Sequence, residues 1–251
     1  MIFGSYNSLK TRGEVLDSLG KANTLLFWID ALGVEYLGYI QSRAKFLELK
    51  ITVYAVRANL PTITSLNSDF YEAWNGDKMQ TKELDKIKHE GEQDFNYQTL
   101  KTPVHLAEEL RILDEALERV KTKLIGGKAD KVIIVSDHGA SRLAVINEQE
   151  CKWEMVSQGK YSGRCCPSSD VDVKFKYATH ENGFWVLANY DRFKGGRKAS
   201  VEVHGGASLE EVVIPLIEVE LFDSKIEISN TTPITTASYK KNAEIVLFSR
   251  S

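Results

Sequence analysis

Val132-Ile133-Ile134-Val135-Ser136-Asp137-His138-Gly139 is a run of four β-branched residues leading into a polar turn. Such a run predicts a strand buried on both faces, as in a parallel sheet. Asp137 and His138 then fall at its carboxyl end, the edge where open α/β sheets bind ligands. A carboxylate and an imidazole on one loop suit a divalent first-row metal. Taken alone, the pair reads equally well as a helix-capping aspartate followed by a loop histidine.

Working outward, the same pattern recurs. Residues 24–30 (TLLFWID) form a compact apolar strand ending in an acid, between helical spacings at 9–20 and 34–47. A second strand is predicted over 51–56, then a Pro-initiated polar loop over 60–68 and a helical piece at 69–76. Residues 77–102 are polar and weakly periodic, and read as an exposed excursion with one short helix. A long helix is predicted from Thr102-Pro103 to Leu124, with its apolar stripe on Leu106, Leu110, Leu113, Leu117, Val120 and Leu124. Proline suits its first turn, and Gly126-Gly127 stops it. Periodicity fades over 147–182, which reads as an insertion or cap. Short strands are expected at 184–188 and 201–203, a helical turn at 209–213 and a strand at 214–222. Two β-like segments, 225–229 and 243–248, follow, and either pair at the sheet edge or begin a further domain. This βα alternation predicts an α/β fold with a mostly parallel central sheet flanked by helices.

Composition narrows the function. With 251 residues, 43% of them hydrophobic, the chain can build one large domain with a sizeable core. A net charge of −3 gives no general attraction to nucleic acid or anionic membrane. A local basic cluster, Arg192, Lys194, Arg197 and Lys198, reads as a solvated loop or as a contact for a phosphate-bearing substrate. Cys151, Cys165 and Cys166 are an odd number with no CxxC, so reduced thiols of an intracellular protein are expected. No run approaches the roughly 20 apolar residues of a membrane span and no signal segment is visible, so a cytoplasmic location without membrane contact is expected.

The chemistry is expected where polar residues follow apolar strands: Asp30, Thr62 and Thr64, Asp137-His138, and His204. Singly, each has a structural explanation. Asp30 could cap a helix, Asn67 a turn and Thr62 or Thr64 a helix, while His204 could be a core histidine beside Gly205-Gly206. Together they are carboxylates, imidazoles and a hydroxyl on one sheet edge. That inventory suits one or two divalent cations and a nucleophile.

These residues carry a resemblance. Asp30, Pro61-Thr62-Ile63-Thr64-Ser65-Leu66-Asn67, Asp137-His138-Gly139 and His204-Gly205-Gly206 resemble the alkaline phosphatase superfamily. Ser136 to Leu143, and Asn189 to Phe193 leading into Val203 to Pro215, resemble more closely the PglZ domain of BREX phage-exclusion systems. The likeness covers about residues 22–222.

The resemblance implies an alkaline-phosphatase-like core over 1–222, with the insertion at about 147–182 and residues 223–251 outside it. It implies a two-metal site, usually zinc or manganese. Asp30, Thr64, Asp137 and His138 would hold one cation and His204 would ligate the other. Thr64 would be the nucleophile, and Asn67 would contact a phosphoryl oxygen. The second cation normally takes an Asp and a His four residues apart, before the long helix. Aligned on that helix, position 101 is a lysine, so Asp94 is the best single candidate, with His89 and His105 lesser ones. His180 reads as surface or cap.

The implied function is metal-dependent phosphoester hydrolysis in anti-phage defence. The defence setting favours a phosphodiesterase acting on nucleic acid over a monoesterase. The alternative is a phosphatase-fold scaffold with little turnover that binds other BREX proteins, such as the methyltransferase. A phosphomutase is the weakest reading, because no lid or sugar-phosphate contacts are identifiable.

Overall fold

All six residues of β1 (Thr24–Ile29) are buried, as the unbroken run TLLFWI requires of a strand covered on both faces. The computed structural model describes residues 6–90, 104–147, 149–174 and 176–222. β1 pairs in parallel with β4 (Lys131–Val135) on one side and β3 (Lys78–Thr81) on the other. β10 (Val213–Leu221) runs antiparallel between β4 and β2 (Leu49–Arg57). The result is a five-stranded sheet of order β2-β10-β4-β1-β3, in which β1, β2, β3 and β4 point the same way. The expected mostly parallel α/β sheet is present, with its one antiparallel strand inside the sheet.

Alternate side chains of each strand enter opposite faces. Leu25, Phe27, Ile29, Val132, Ile134, Ile217 and Val219 pack with α2 (Leu37–Phe46) and α5 (Val104–Ile125). Leu26, Trp28, Ile133, Val135, Ile214 and Leu216 pack on the other face. Their partners there are Val15 and Leu16 of α1 (Arg12–Ser18) and Phe70 and Trp74 at α3 (Asp69–Ala73).

The 77–102 segment is not only an exposed excursion. Its first residues form β3, and α4 (Glu83–Glu90) follows directly. The strand Lys-Met-Gln-Thr has no apolar run because it lies at the sheet edge, where half its side chains meet water. Residues 91–103, including Asp94 and the Thr102-Pro103 start, lie outside the described residues.

The long helix ends as expected. The N–H groups of Gly126, Gly127 and Lys128 bond back to the carbonyls of Thr122, Leu124 and Lys123, and Gly127 takes φ +63°. Its buried stripe departs from the leucine pattern at one end, where Leu106 is exposed while His105 and Glu109 are buried. Glu109 lies three and four residues before Ile112 and Leu113, and His105 lies four before Glu109, so both are in helical register with the core face.

Glu109 accepts a 2.8 Å hydrogen bond from Tyr36 Oη. Burial, then the negative charge of Glu202, pushes its carboxyl from 4.5 up to about 7. A raised carboxyl pKa favours the folded state below pH 4.5, and that contribution is lost as pH rises through 7. Glu109→Gln keeps an acceptor for Tyr36 and cannot ionise. It is expected to stabilise the protein by about 3 kcal/mol at pH 8 and by almost nothing at pH 4.5. Urea unfolding at the two pH values tests this, and a wild-type advantage at pH 8 would refute it.

Between α6 (Leu143–Ile146) and α7 (Leu209–Val212) the chain leaves the main sheet. β5 (Glu150–Glu154) pairs with β9 (Arg192–Lys194). β6 (Cys165–Pro167), β7 (Ala178–Glu181) and β8 (Phe184–Leu187) form a three-stranded antiparallel sheet. This added layer runs past residue 182, because β8 and β9 complete its sheets. Val203 makes an isolated bridge to Ser141 and not a strand. All three cysteines are buried free thiols, and burial pushes the Cys166 thiol up to about 12.

The chain divides into two units at Leu221/Phe222. Residues 223–251, with both β-like segments, lie outside the described residues. Among the described residues no helix is long and apolar enough to cross a membrane.

Candidate metal centre

Because β1, β2, β3 and β4 are parallel, their carboxyl ends share one edge of the sheet. The amino end of the antiparallel β10 meets them there. Asp30 directly follows β1, Thr64 lies seven residues past β2, Asp85 and His89 ride on α4 just past β3, Asp137-His138 follow β4, and His204 precedes α7. The register of one sheet therefore gathers donors from five chain segments.

Local structure fixes each donor. Ala31 sits at φ +61°, a strained value for a residue with a Cβ. This turn lets the Ala31 N–H donate to Asp137 Oδ1 at 3.2 Å, beside a 3.2 Å bond from Trp28 Nε1. Arg12 of α1, itself buried, backs the same turn, donating to the carbonyls of Ser136 and Asp137 at 3.3 and 3.0 Å. Gly139 is required by space, because a Cβ there would lie 2.0 Å from the Glu210 carbonyl oxygen. Thr62 donates to the Gly206 carbonyl at 2.8 Å and accepts from the Gly205 N–H at 2.9 Å. Its hydroxyl thus holds the His204 turn. Thr64, half-buried, instead places Oγ1 3.1 Å from His138 Nε2.

The histidine tautomers follow from their partners. His138 Nδ1 lies 3.2 Å from the Gly139 carbonyl, and His204 Nδ1 lies 2.7 Å from the Thr62 carbonyl. A carbonyl only accepts, so both Nδ1 atoms carry the proton and both Nε2 lone pairs are free to bind a metal. His204 Nε2 faces His89 Nε2 at 2.9 Å, and the His138 and His204 rings stack with centroids 3.9 Å apart.

The carboxylates show what this arrangement would hold. Asp30 Oδ1, Asp85 Oδ1 and Asp137 Oδ2 are buried and accept no hydrogen bond. Each faces a histidine Nε2 instead, Asp30 and Asp137 that of His138 at 3.8 and 3.2 Å, and Asp85 that of His89 at 3.3 Å. Buried carboxylate oxygens are costly unless partnered, and three in one place fit a cationic partner. Among the described residues two donor groups meet the geometric requirement: Asp85, His89 and His204, and Asp30, Asp85 and His138. In each, the donor atoms lie within 4.8 Å of one another. Asp85 belongs to both.

Electrostatics agree. Burial, followed by the charges of Asp137 and Asp85, pushes the Asp30 carboxyl up to about 9. Burial also acts to raise Asp85, but His89 and His204 outweigh it and hold the carboxyl down at about 2. Burial, then His138, lowers His204 to about 3, keeping its imidazole neutral. A divalent cation would reverse the cost of ionising Asp30.

The structure brings together Asp30, Thr64, Asp137, His138 and His204, joins to them His89, one of the two lesser candidates, and adds Asp85. The Asp-x-x-x-His pair was legible in the sequence. It was sought beside the long helix, and it lies on α4, where one helical turn puts both side chains on one face. Asn67 is buried in a different role. Its amide donates to the carbonyls of Asn59, Pro61 and Ile63 at 3.1, 3.2 and 3.1 Å, and its Oδ1 accepts from the Asn59 N–H at 2.7 Å. With every polar atom engaged inside the loop, Asn67 shapes the Thr64 turn and has no donor left for a phosphoryl group. His105 is buried on α5 and belongs to neither donor group. His180 is exposed on β7 beside Trp185. Arg192 approaches Glu150 at 3.6 Å, while Lys194, Arg197 and Lys198 are exposed. A scan against protein-family models and a search of curated proteins gave no match to this chain.

Proposed function

We propose that this chain is a metal-dependent phosphoester hydrolase with an alkaline-phosphatase-like core, a PglZ-type protein of a BREX phage-defence system. One observation carries the reading. Three unpartnered buried carboxylate oxygens and three imidazole nitrogens gather at the ligand-binding edge of an α/β sheet, with one hydroxyl, Thr64 Oγ1, 3.1 Å from the His138 nitrogen. Asp30, Asp137, His138 and Thr64 would hold one cation, and Asp85, His89 and His204 the other. Zinc or manganese bound there would supply Lewis-acid stabilisation of phosphoryl charge and a lowered pKa for the Thr64 hydroxyl.

The protein's own groups do the rest. Thr64 Oγ1 attacks phosphorus, forming a P–O bond as the ester oxygen leaves with its electron pair. Water then cleaves the phosphothreonine, returning the hydroxyl and releasing phosphate or a phosphomonoester. Thr62 and Asn67 keep the loop in place through bonds that never touch substrate. A diester in nucleic acid is the favoured substrate, and the exposed cations 194, 197 and 198 on the strand and loop before His204 support it. A scaffold without turnover had its support in an incomplete second donor set, and Asp85 with His89 now offers that set.

The test is metal content by elemental analysis, with hydrolysis of bis-p-nitrophenyl phosphate under added zinc or manganese. Wild type is expected to hold about two cations per chain and to turn over. Asp137→Ala is expected to lose at least one of them, because an anionic ligand is removed. Wild-type protein with no metal and no turnover would overturn the proposal.

A further inference from the structure

We infer that Lys88 is a positioning residue for the metal centre, fastening α4 to the His204 segment so that His89 and His204 meet. This rests on the metal-site reading above. Asp85 and His89 reach the centre only if α4 is held at one rotation and one distance from the 202–204 segment.

Lys88 supplies both constraints. Its side chain is 1% exposed, and its ammonium lies 2.7 Å from Glu202 Oε2 and 3.1 Å from Glu35 Oε1. The ammonium also sits 5.0 Å over the Tyr36 ring. Its backbone carbonyl accepts from the Glu202 N–H at 3.0 Å. Main chain and side chain of one residue are therefore tied to Glu202, two residues before His204. The next residue, Val203, exchanges two backbone hydrogen bonds with Ser141, at 2.7 and 3.2 Å, on the loop that carries Asp137 and His138.

The clasp thus joins three of the five donor-bearing segments. Burying an ammonium is costly unless it is closely paired, and an apolar side chain would fill the same space more cheaply. A paired charge does what an apolar contact does not: it fixes one register of α4 against residues 202–204.

The experiment is a cobalt titration of the metal-free protein, followed by visible absorption, with urea unfolding alongside. Wild type is expected to bind two cobalt ions. Lys88→Met is expected to bind the first like wild type and the second 10- to 100-fold more weakly, the size found when support behind a ligand is removed. Lys88→Arg is expected to recover most of the second site. If Lys88→Met fails to fold, Glu202→Gln replaces it, since it keeps the backbone bond and the Glu35 pair. Two unshifted cobalt sites in a folded Lys88→Met or Glu202→Gln protein would overturn the inference and leave the metal-centre reading intact. A wild-type chain that binds no cobalt would overturn the metal-centre reading, and this inference with it.

Discussion

Thr64→Ala is expected to lower phosphodiester turnover at least about 1,000-fold, the scale on which removal of a covalent nucleophile acts. The fold and most of the bound metal are expected to survive. Asp30, Asp137 and His138 still offer donors to one cation, and Asp85, His89 and His204 to the other. Thr64 is half-buried in a short turn, Thr64–Leu66, that Asn67 shapes from beneath, so loss of its hydroxyl breaks no loop-shaping bond. Thr62→Ala provides the contrast. The Thr62 hydroxyl bridges Gly205 and Gly206 and never faces the centre. That substitution is expected to loosen His204 and weaken metal binding, with turnover restored at high metal. Thr64→Ser is expected to retain activity. Elemental analysis with steady-state kinetics on one preparation of each variant separates these outcomes. Full turnover in Thr64→Ala would make water the nucleophile.

The sequence signal was strongest where burial was greatest. β1 and β4 are unbroken apolar runs because both faces are covered, and each ends in an acid that the sheet places at one edge. Asp30 and Asp137 were therefore visible, and His204 stood out beside its two glycines. β3 and α4 were obscured for the opposite reason. An edge strand keeps lysine and glutamine, so no apolar run announced it, and of the donors just past it His89 was read only as a lesser candidate and Asp85 as part of an exposed segment. Asp85 and His89 had the right spacing all the same. The role of Asn67 was not legible, because whether an amide faces a ligand or its own loop depends on where three carbonyls lie. Nor could Lys88 be read as buried, since its partners Glu35 and Glu202 come from distant parts of the chain.

Glu211→Gln is expected to cost about 3–5 kcal/mol of stability, the range for removing one partner of a buried ion pair. Glu211 and Arg164 are 0% and 1% exposed and joined by two bonds of 3.1 and 2.8 Å. The carboxylate also accepts from the N–H groups of Gly206 and Ser208 at 2.8 and 2.9 Å. Arg164 further donates to the carbonyls of Leu187 and Asp191. One pair thus binds the added β layer to α7 and shapes the turn after His204. The amide of glutamine replaces one acceptor oxygen with a donor, leaving a buried guanidinium without its counter-ion. Arg164→Met leaves the complementary defect, a buried carboxylate that retains only backbone donors. The double variant removes both charges, so its loss is expected to fall well short of the sum of the single losses. Urea unfolding of the four proteins gives this coupling directly. Additive losses would mean that the guanidinium serves its carbonyl acceptors and that Glu211 acts through the 206–208 turn alone. A coupled loss, with weaker metal binding in Glu211→Gln, would mean that this pair sets the position of His204 through the turn after it, as Lys88 does through the residue two before it.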